Sequence, residues 1–296
     1  MKNWRKGIIG FVFLFIVIVF IILHFIAPYL IIQPPRKVET QTPVSLGLES
    51  EYLRISAFNG DEMDAYWLKT RVDSVRGLII LVHGIGDNKQ GYINLGMELA
   101  NMGIESIIFD NRAHGKSEGD YTTYGYNEKY DIQAIVDLVK LRNQDMKIGI
   151  WGNSLGGAFA IQALEIDKRI EFGVVQSTFA ELHVIVHDYK KRMLNGVGAK
   201  WMSNYALRRA GKIADFKPAE VMPIESVKHI EQAVFMAHGD ADEHISVEYG
   251  KALFRNLNSE DKELEIVEGA HHNNVFQIGG QVYKEKVFRF IERQLE

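Results

Sequence analysis

An α/β fold with a mostly parallel central sheet, covered by helices on both faces, is what this sequence predicts. Runs such as GLIILVHG (Gly77–Gly84) are apolar without polar alternation, the mark of strands buried on both faces. Stretches of helical period separate these runs, and alternation of the two means βαβ units. Glycine, serine, aspartate and histidine gather just after the strands, where sites form in such sheets.

The first element stands apart from that fold. Gly7–Ile32 is apolar nearly throughout, broken only by His24 and Pro28. At about 1.5 Å per residue it outruns the roughly 30 Å hydrocarbon core of a bilayer. A cleaved signal peptide has an apolar region of about 7–15 residues and ends at a small-residue site. Ile8–Leu23 alone is longer and no such site follows, so residues 1–32 read as a cytoplasmic start and an uncleaved transmembrane anchor. Lys2, Arg5 and Lys6 precede the span, and Arg36 and Lys37 follow it. The positive-inside bias then puts the amino terminus in the cytoplasm and the body on the extracytoplasmic side of a single-pass protein.

Residues 33–48, polar and proline-bearing, read as an extended tether. Residues 49–296 read as one globular domain. It opens with a hairpin around Asn59-Gly60-Asp61, antiparallel at one edge of the sheet. Strand Gly77–Gly84 is followed by a helix over roughly Gly91–Asn101, strand Ile104–Asp110, and a helix over Asn127–Gln144 with Asn127 as N-cap. Strand Lys147–Gly152 and a helix from Ser154 repeat the unit, and Glu171–Ser177 adds a strand. Gln232–Gly239, Lys262–Gly269 and a terminal helix over roughly Asn274–Leu295 close the chain. Between them, Thr178–Pro223 has apolar residues at helical spacing and no buried strand, so a helical cap over about 178–223 is expected. Leu182, Val186, Met193, Trp201, Met202 and Tyr205 are its candidates for lining a pocket.

Composition removes several classes of function. A net charge of −4 and a pI near 6.2 leave no basic footprint for nucleic acid. With no cysteine, disulfides, thiolate metal sites and cysteine nucleophiles are excluded. His238, His244 and His271 lie on two different loops without helical i, i+4 pairing, so no metal and no cofactor is expected. The basic stretches Tyr189–Gly196 and LRRAGK read as a solvated helix face, with lipid headgroups as the partner their nearness to the anchor would offer.

The chemistry sits at three strand ends. Gly152-Asn153-Ser154-Leu155-Gly156 joins a buried strand to a helix. A serine hydroxyl is a poor nucleophile unless exposed at a sharp turn beside a base and oxyanion donors, and the glycines permit that turn. At about 7% glycine the bare pattern occurs by chance in on the order of one chain in ten of this length, so its strand-to-helix context carries the weight. Asp240 and Asp242 follow the strand ending in HGDADEH, and His271 and His272 follow the one ending in EGAHHNN. The order Ser…Asp…His is that of the nucleophile elbow.

Taken in order, LVHGIGDN, FDNRAHGKSEGD, GNSLGG, HGDADEHI and GAHHNN resemble the α/β-hydrolase superfamily, and within it single-domain esterases, lipases and peptidase-like enzymes. The resemblance covers roughly residues 50–296. It implies the α/β-hydrolase fold, Ser154 as nucleophile, Asp242 as acid with Asp240 a turn residue, and His272 as base. It also implies the backbone N–H groups of Ile85 and Leu155 as oxyanion donors. His83 is then structural, and Asp110, Arg112 and His114 form a loop network. The expected activity is that of a membrane-anchored serine hydrolase cleaving carboxylic esters, small or lipid-like. A peptidase or amidase of the same fold and a non-catalytic binding module are the alternatives.

Overall fold

The computed structural model describes residues 2–193, 196 and 199–296. The chain begins with one helix long and apolar enough to cross a membrane, α1 (Lys2–Ile21), continued through a π-helical turn at Ile22–Ile26 into α2 (Ala27–Ile32). Pro28 lacks an N–H and its ring would collide with the carbonyl of His24; the wider turn just before it absorbs both defects. Phe11, Phe13 and Phe15 are each more than half exposed, so this surface has no partner within the chain. At its far end the helix joins the body instead. Ile32 is fully buried in the main core, and its carbonyl and that of Ile31 accept from the Thr122 amide and the Tyr124 hydroxyl.

Residues 33–48 form no strand and a single 3-10 turn, and they lie pinned along the body. The Arg36 guanidinium donates to the carbonyls of Ser117 and Gly119, both at 2.6 Å. Glu39 accepts from Lys116 and faces the fully buried Lys89, which pairs with Asp64 at 2.6 Å and Asp110 at 2.8 Å. Removing one charge from such a cluster leaves the others uncompensated, at a cost of about 3–5 kcal/mol.

The sheet has eight strands. β1 (Ser50–Ser56) and β2 (Glu62–Leu68) form the hairpin, turning through Gly60 at φ 91°. β3 (Gly77–Val82), α3 (Ile93–Asn101), β4 (Ile104–Phe109), α4 (Glu128–Arg142), β5 (Ile148–Asn153), α5 (Leu155–Ile166) and β6 (Ile170–Gln176) come next. After them lie α6 (Leu182–Met193), α7 (Lys200–Ile213), α8 (Pro223–Ser226), β7 (Ala233–Gly239), α9 (Val247–Asn256), β8 (Lys262–Val267) and α10 (Val275–Leu295). The strand order is β1-β2-β4-β3-β5-β6-β7-β8, antiparallel at β1/β2 and β2/β4 and parallel from β4 to β8.

Two hydrophobic cores flank this sheet. α3 and α10 cover one face through Ile93, Leu99, Tyr283, Val287 and Phe290. α4, α5 and α9 cover the other, where Ile132, Ile135, Val136, Phe159, Leu164 and Leu253 pack. Every residue of β3 and β4 is buried, as two-faced strands require. The expected N-cap of α4 is corrected: the Asn127 side chain caps nothing, and Glu128 binds the preceding loop instead. Its carboxylate accepts from the amides of Thr123 and Gly125 at 2.7 Å each and from both threonine hydroxyls of that loop.

The insertion between β6 and β7 is helical, made of α6, α7 and α8. Among its expected pocket-lining residues, Leu182 is fully buried in the core, Trp201 is 61% exposed, and Tyr205 turns to the N-terminal helix. The Met193 side chain lies outside the described residues, as do Leu194 and Asn195 of the basic stretch.

Candidate active site

The parallel strands bring four loops together at their carboxyl ends. Ser154 sits between β5 and α5 with φ 55° and ψ −119°, a backbone that a side-chain-bearing residue adopts at a cost of about 1–3 kcal/mol. The surroundings enforce it. The Ser154 amide donates to the Gln176 carbonyl at 2.9 Å, and the Ser154 carbonyl accepts from the Thr178 hydroxyl at 2.7 Å. Helix and strands approach so closely that a Cβ on Gly156 would stand 2.0 Å from the Val82 carbonyl oxygen, and one on Gly152 would stand 2.1 Å from the Gly156 oxygen. Only glycine fits either position, and the two glycines let the turn that carries Ser154 close this tightly.

From the loop after β8, His272 places Nε2 2.9 Å from the Ser154 hydroxyl oxygen. Its Nδ1 lies 2.7 Å from a carboxylate oxygen of Asp242, in the loop after β7. A carboxylate only accepts, so Nδ1 carries the proton and Nε2 is left to accept from the serine. His271, its neighbour, is exposed, and its amide donates to the Asn274 side chain at 2.6 Å. Asp240 accepts from the Gly269 amide at 2.7 Å and holds the β8 turn, away from the histidine.

The Asp242 side chain is fully enclosed. Burial opposes its ionisation, but hydrogen bonds from His238, His272 and the Ile245 amide override that and hold its carboxyl well below the usual carboxylate range. The second oxygen accepts from the amides of His244 and Ile245 at 2.8 Å each. His238, which the sequence pattern weighs only against metal ligation and gives no role, is a neighbour of the acid. It is buried, its Nε2 donates to the Ile245 carbonyl at 2.8 Å, and the same nitrogen lies 3.4 Å from Asp242. The legible signal was a histidine four residues before the acid at the last position but one of a buried strand.

The loop after β3 closes the site opposite the histidine. A Cβ on Gly84 would lie 3.8 Å from the Ser154 hydroxyl oxygen, so backbone and nucleophile are in contact range. Among the described residues the amides of Ile85 and Leu155 have no acceptor. His83 is wholly buried: Nδ1 donates to the Gly84 carbonyl at 2.8 Å and Nε2 accepts from the Asn111 amide at 3.0 Å. Burial pushes its pKa down and keeps the ring neutral. In the neighbouring loop Asp110 joins Lys89, Arg112 pairs with Asp131 at 2.8 Å, and His114 binds the Arg112 carbonyl.

Two cavities flank His272. One of about 350 Å³ runs from Gly84, Asn153 and His272 to walls of Leu95, Trp151, Val275 and Phe276. The other, of about 140 Å³, is lined by Glu243, His244 and Asn273 among others. Above the smaller one the cap reaches across to the acid loop, where Arg192 donates to Nδ1 of His244 at 2.8 Å and to its carbonyl at 2.6 Å. Chemically, the arrangement offers a hydroxyl, a neutral imidazole oriented by a fixed carboxylate, and unpaired amides beside the hydroxyl.

The chain is similar to several known proteins. Residues 73–216 match the family model described as Serine aminopeptidase, S33. The uncharacterized protein YqkD of Bacillus subtilis is 24% identical over 226 residues, covering 72% of this chain and 70% of that protein. A lysophosphatidylserine lipase, ABHD12 of Bos taurus, is 23% identical over 204 residues, which are 66% of this chain and 49% of that one. The esterase Pf2001 of Pyrococcus furiosus superposes with a TM-score of 0.74 at 25% identity, over 89% of this chain and all of that structure.

Proposed function

This chain belongs to the α/β-hydrolase superfamily, and on that premise we propose that it is a membrane-anchored serine hydrolase cleaving carboxylic esters through an acyl-enzyme on Ser154. One observation carries the reading: the unbroken chain from Asp242 through His272 to a serine held on a strained turn. His272 takes the hydroxyl proton, Ser154 attacks the ester carbonyl, and the Ile85 and Leu155 amides stabilise the tetrahedral anion. The imidazolium, steadied by Asp242, then protonates the leaving alkoxide. Water, activated by the same histidine, releases the acid. Losing one oxyanion donor costs about 10²–10³ in rate.

The larger cavity, apolar along Leu95, Trp151 and Phe276, supports an acyl group of short to medium length, since about 350 Å³ lies at the low end of ligand pockets. The helix Lys6–Ile32 supports an anchor, with the amino terminus cytoplasmic and the body outside, and hence an amphiphilic ester taken from the bilayer. A lipase and an esterase among the similar proteins favour esters. The match to an aminopeptidase model keeps a second reading, cleavage of aminoacyl amides, in view. The test is a panel of acyl esters and shape-matched aminoacyl amides offered to the full chain in detergent and to Ser154→Ala. Ester turnover that the mutant lacks upholds the proposal. Turnover of amides alone replaces it with the second reading, and turnover surviving in Ser154→Ala removes the mechanism.

A further inference from the structure

The cap helix α7 meets the N-terminal helix directly. The Tyr205 hydroxyl and Nδ1 of His24 are 2.6 Å apart, and α2 packs along α7. Counting the twenty or so residues that cross a hydrocarbon core from Gly7 brings the helix out of the lipid at about Ile26. His24 is therefore at the edge of the hydrocarbon, within about 3 Å of the headgroups, and so is the part of α7 that touches it.

The composition of α7 is unusual for a helix facing water. It carries Lys200, Arg208, Arg209 and Lys212 and no acidic residue, in a protein of net charge −4. Among the described residues none of the four makes an ion pair, whereas just beyond, Lys217 pairs with Glu220 and Lys228 with Glu225. At about 100° per residue, Trp201, Arg208 and Lys212 fall within roughly 60° of Tyr205, a single stripe at i, i+4, i+7 and i+11. The opposite face, Ser203, Ala206, Leu207 and Ala210, is buried on the body. Trp201 is 61% exposed on the stripe, and Lys200, Arg208 and Lys212 are exposed beside it. Tryptophan and tyrosine at headgroup level and unpaired lysine and arginine among them are the residue types that bind the surface of an anionic bilayer.

We propose that this stripe of α7 (Trp201, Tyr205, Arg208 and Lys212, with Lys200) docks on anionic lipid headgroups of the membrane that the N-terminal helix crosses. The cap is thereby held flat against the bilayer. The proposal rests on the anchor reading above. A purely solvated face has no use for an exposed tryptophan, and a protein partner would have to fit between the stripe and the lipid that His24 places next to it.

The chain has no cysteine, so a single introduced one is labelled uniquely. Asn204, exposed between Lys200 and Arg208, is the reporter site. The full chain with Asn204→Cys carries a nitroxide in nanodiscs of phosphatidylcholine alone or with roughly one third phosphatidylglycerol. Collision with a water-soluble nickel chelate is read by electron paramagnetic resonance. The expected result is a severalfold fall in chelate access in the anionic discs. It reverses when salt is raised toward 1 M, where the Debye length is about 3 Å, and in Lys200→Glu/Arg208→Glu/Lys212→Glu. Three basic side chains at the surface correspond to on the order of a hundredfold in the docked-to-undocked ratio. Equal access in both discs, or protection that ignores salt, overturns the docking. A second label at Phe13→Cys separates the two readings: if it is lipid-protected while the Asn204 label stays in water, the anchor stands and the docking falls. A water-exposed Phe13 label overturns the anchor and the docking with it.

Discussion

Asp242→Asn removes one charge and almost no volume, and the surrounding hydrogen bonds determine its effect. In the native site one carboxylate oxygen accepts from His272 Nδ1 at 2.7 Å and the other from two backbone amides at 2.8 Å each. An asparagine must turn its NH₂ toward one of these sets. Facing His272, it donates to Nδ1, shifts the proton to Nε2 and aims an N–H at the serine, so the imidazole no longer accepts the hydroxyl proton. Facing the amides of His244 and Ile245, it opposes donor to donor in an enclosed place, at about 1–3 kcal/mol of stability for the unsatisfied group. The first arrangement keeps the fold and drops kcat by about 10⁴. The assay is kcat/KM on a chromogenic ester beside thermal unfolding, and the expectation is that loss of activity with a Tm lowered by a few degrees at most. Because hydrogen bonding keeps the native carboxyl below its usual range, Asp242 stays ionised in the wild-type enzyme at neutral pH. An Asp242→Asn enzyme within about tenfold of wild type would refute the reasoning and pass the orienting role to another acid.

Other consequences are as direct. Gly156→Ala drives a methyl to 2.0 Å from the Val82 oxygen, so the turn under Ser154 must open; activity falls by orders of magnitude while a folded core is still seen by circular dichroism. A chain starting at Gln33 loses Ile32 from the core and the acceptors of the Thr122 amide and Tyr124 hydroxyl; it should unfold at least about 2 kcal/mol more easily in urea than one retaining Ile22–Ile32, and equal midpoints would contradict the packing. Burial, then His83, pushes the His114 pKa down to about 3. The folded ring therefore stays neutral where the unfolded one charges, so its stabilisation is complete above about pH 6.5 and is lost as pH falls toward 3. His114→Asn should flatten the stability–pH slope in that window by up to about 1.4 kcal/mol per pH unit, and an unchanged slope would show that His114 protonates in the folded state.

The sheet and the site were largely legible because their signals are local. Gly77–Val82 is apolar at every position, and a strand of that kind fits only the interior of a covered sheet. Ser154 and Asp242 follow buried strands and His272 follows the edge strand beside them, and a parallel sheet puts all those ends on one side. What escaped depends on contacts far apart in the chain. Nothing in the local pattern of 33–48 says that Arg36 meets the carbonyls of Ser117 and Gly119, or that Glu39 meets a buried lysine. Helical spacing in the cap identified the helices but not their faces, so Tyr205 looked like a pocket wall and instead meets His24. His238 was read against metal ligation because its role shows only once Ile245 and Asp242 fold back over it.

The most direct test of the central claim is covalent labelling of the full-length chain by a fluorophosphonate probe, beside Ser154→Ala and His272→Ala. Rapid labelling of the wild type, none of Ser154→Ala and slow labelling of His272→Ala is the result this account predicts. A folded wild-type protein that takes up no probe, or a Ser154→Ala protein that still does, would contradict it.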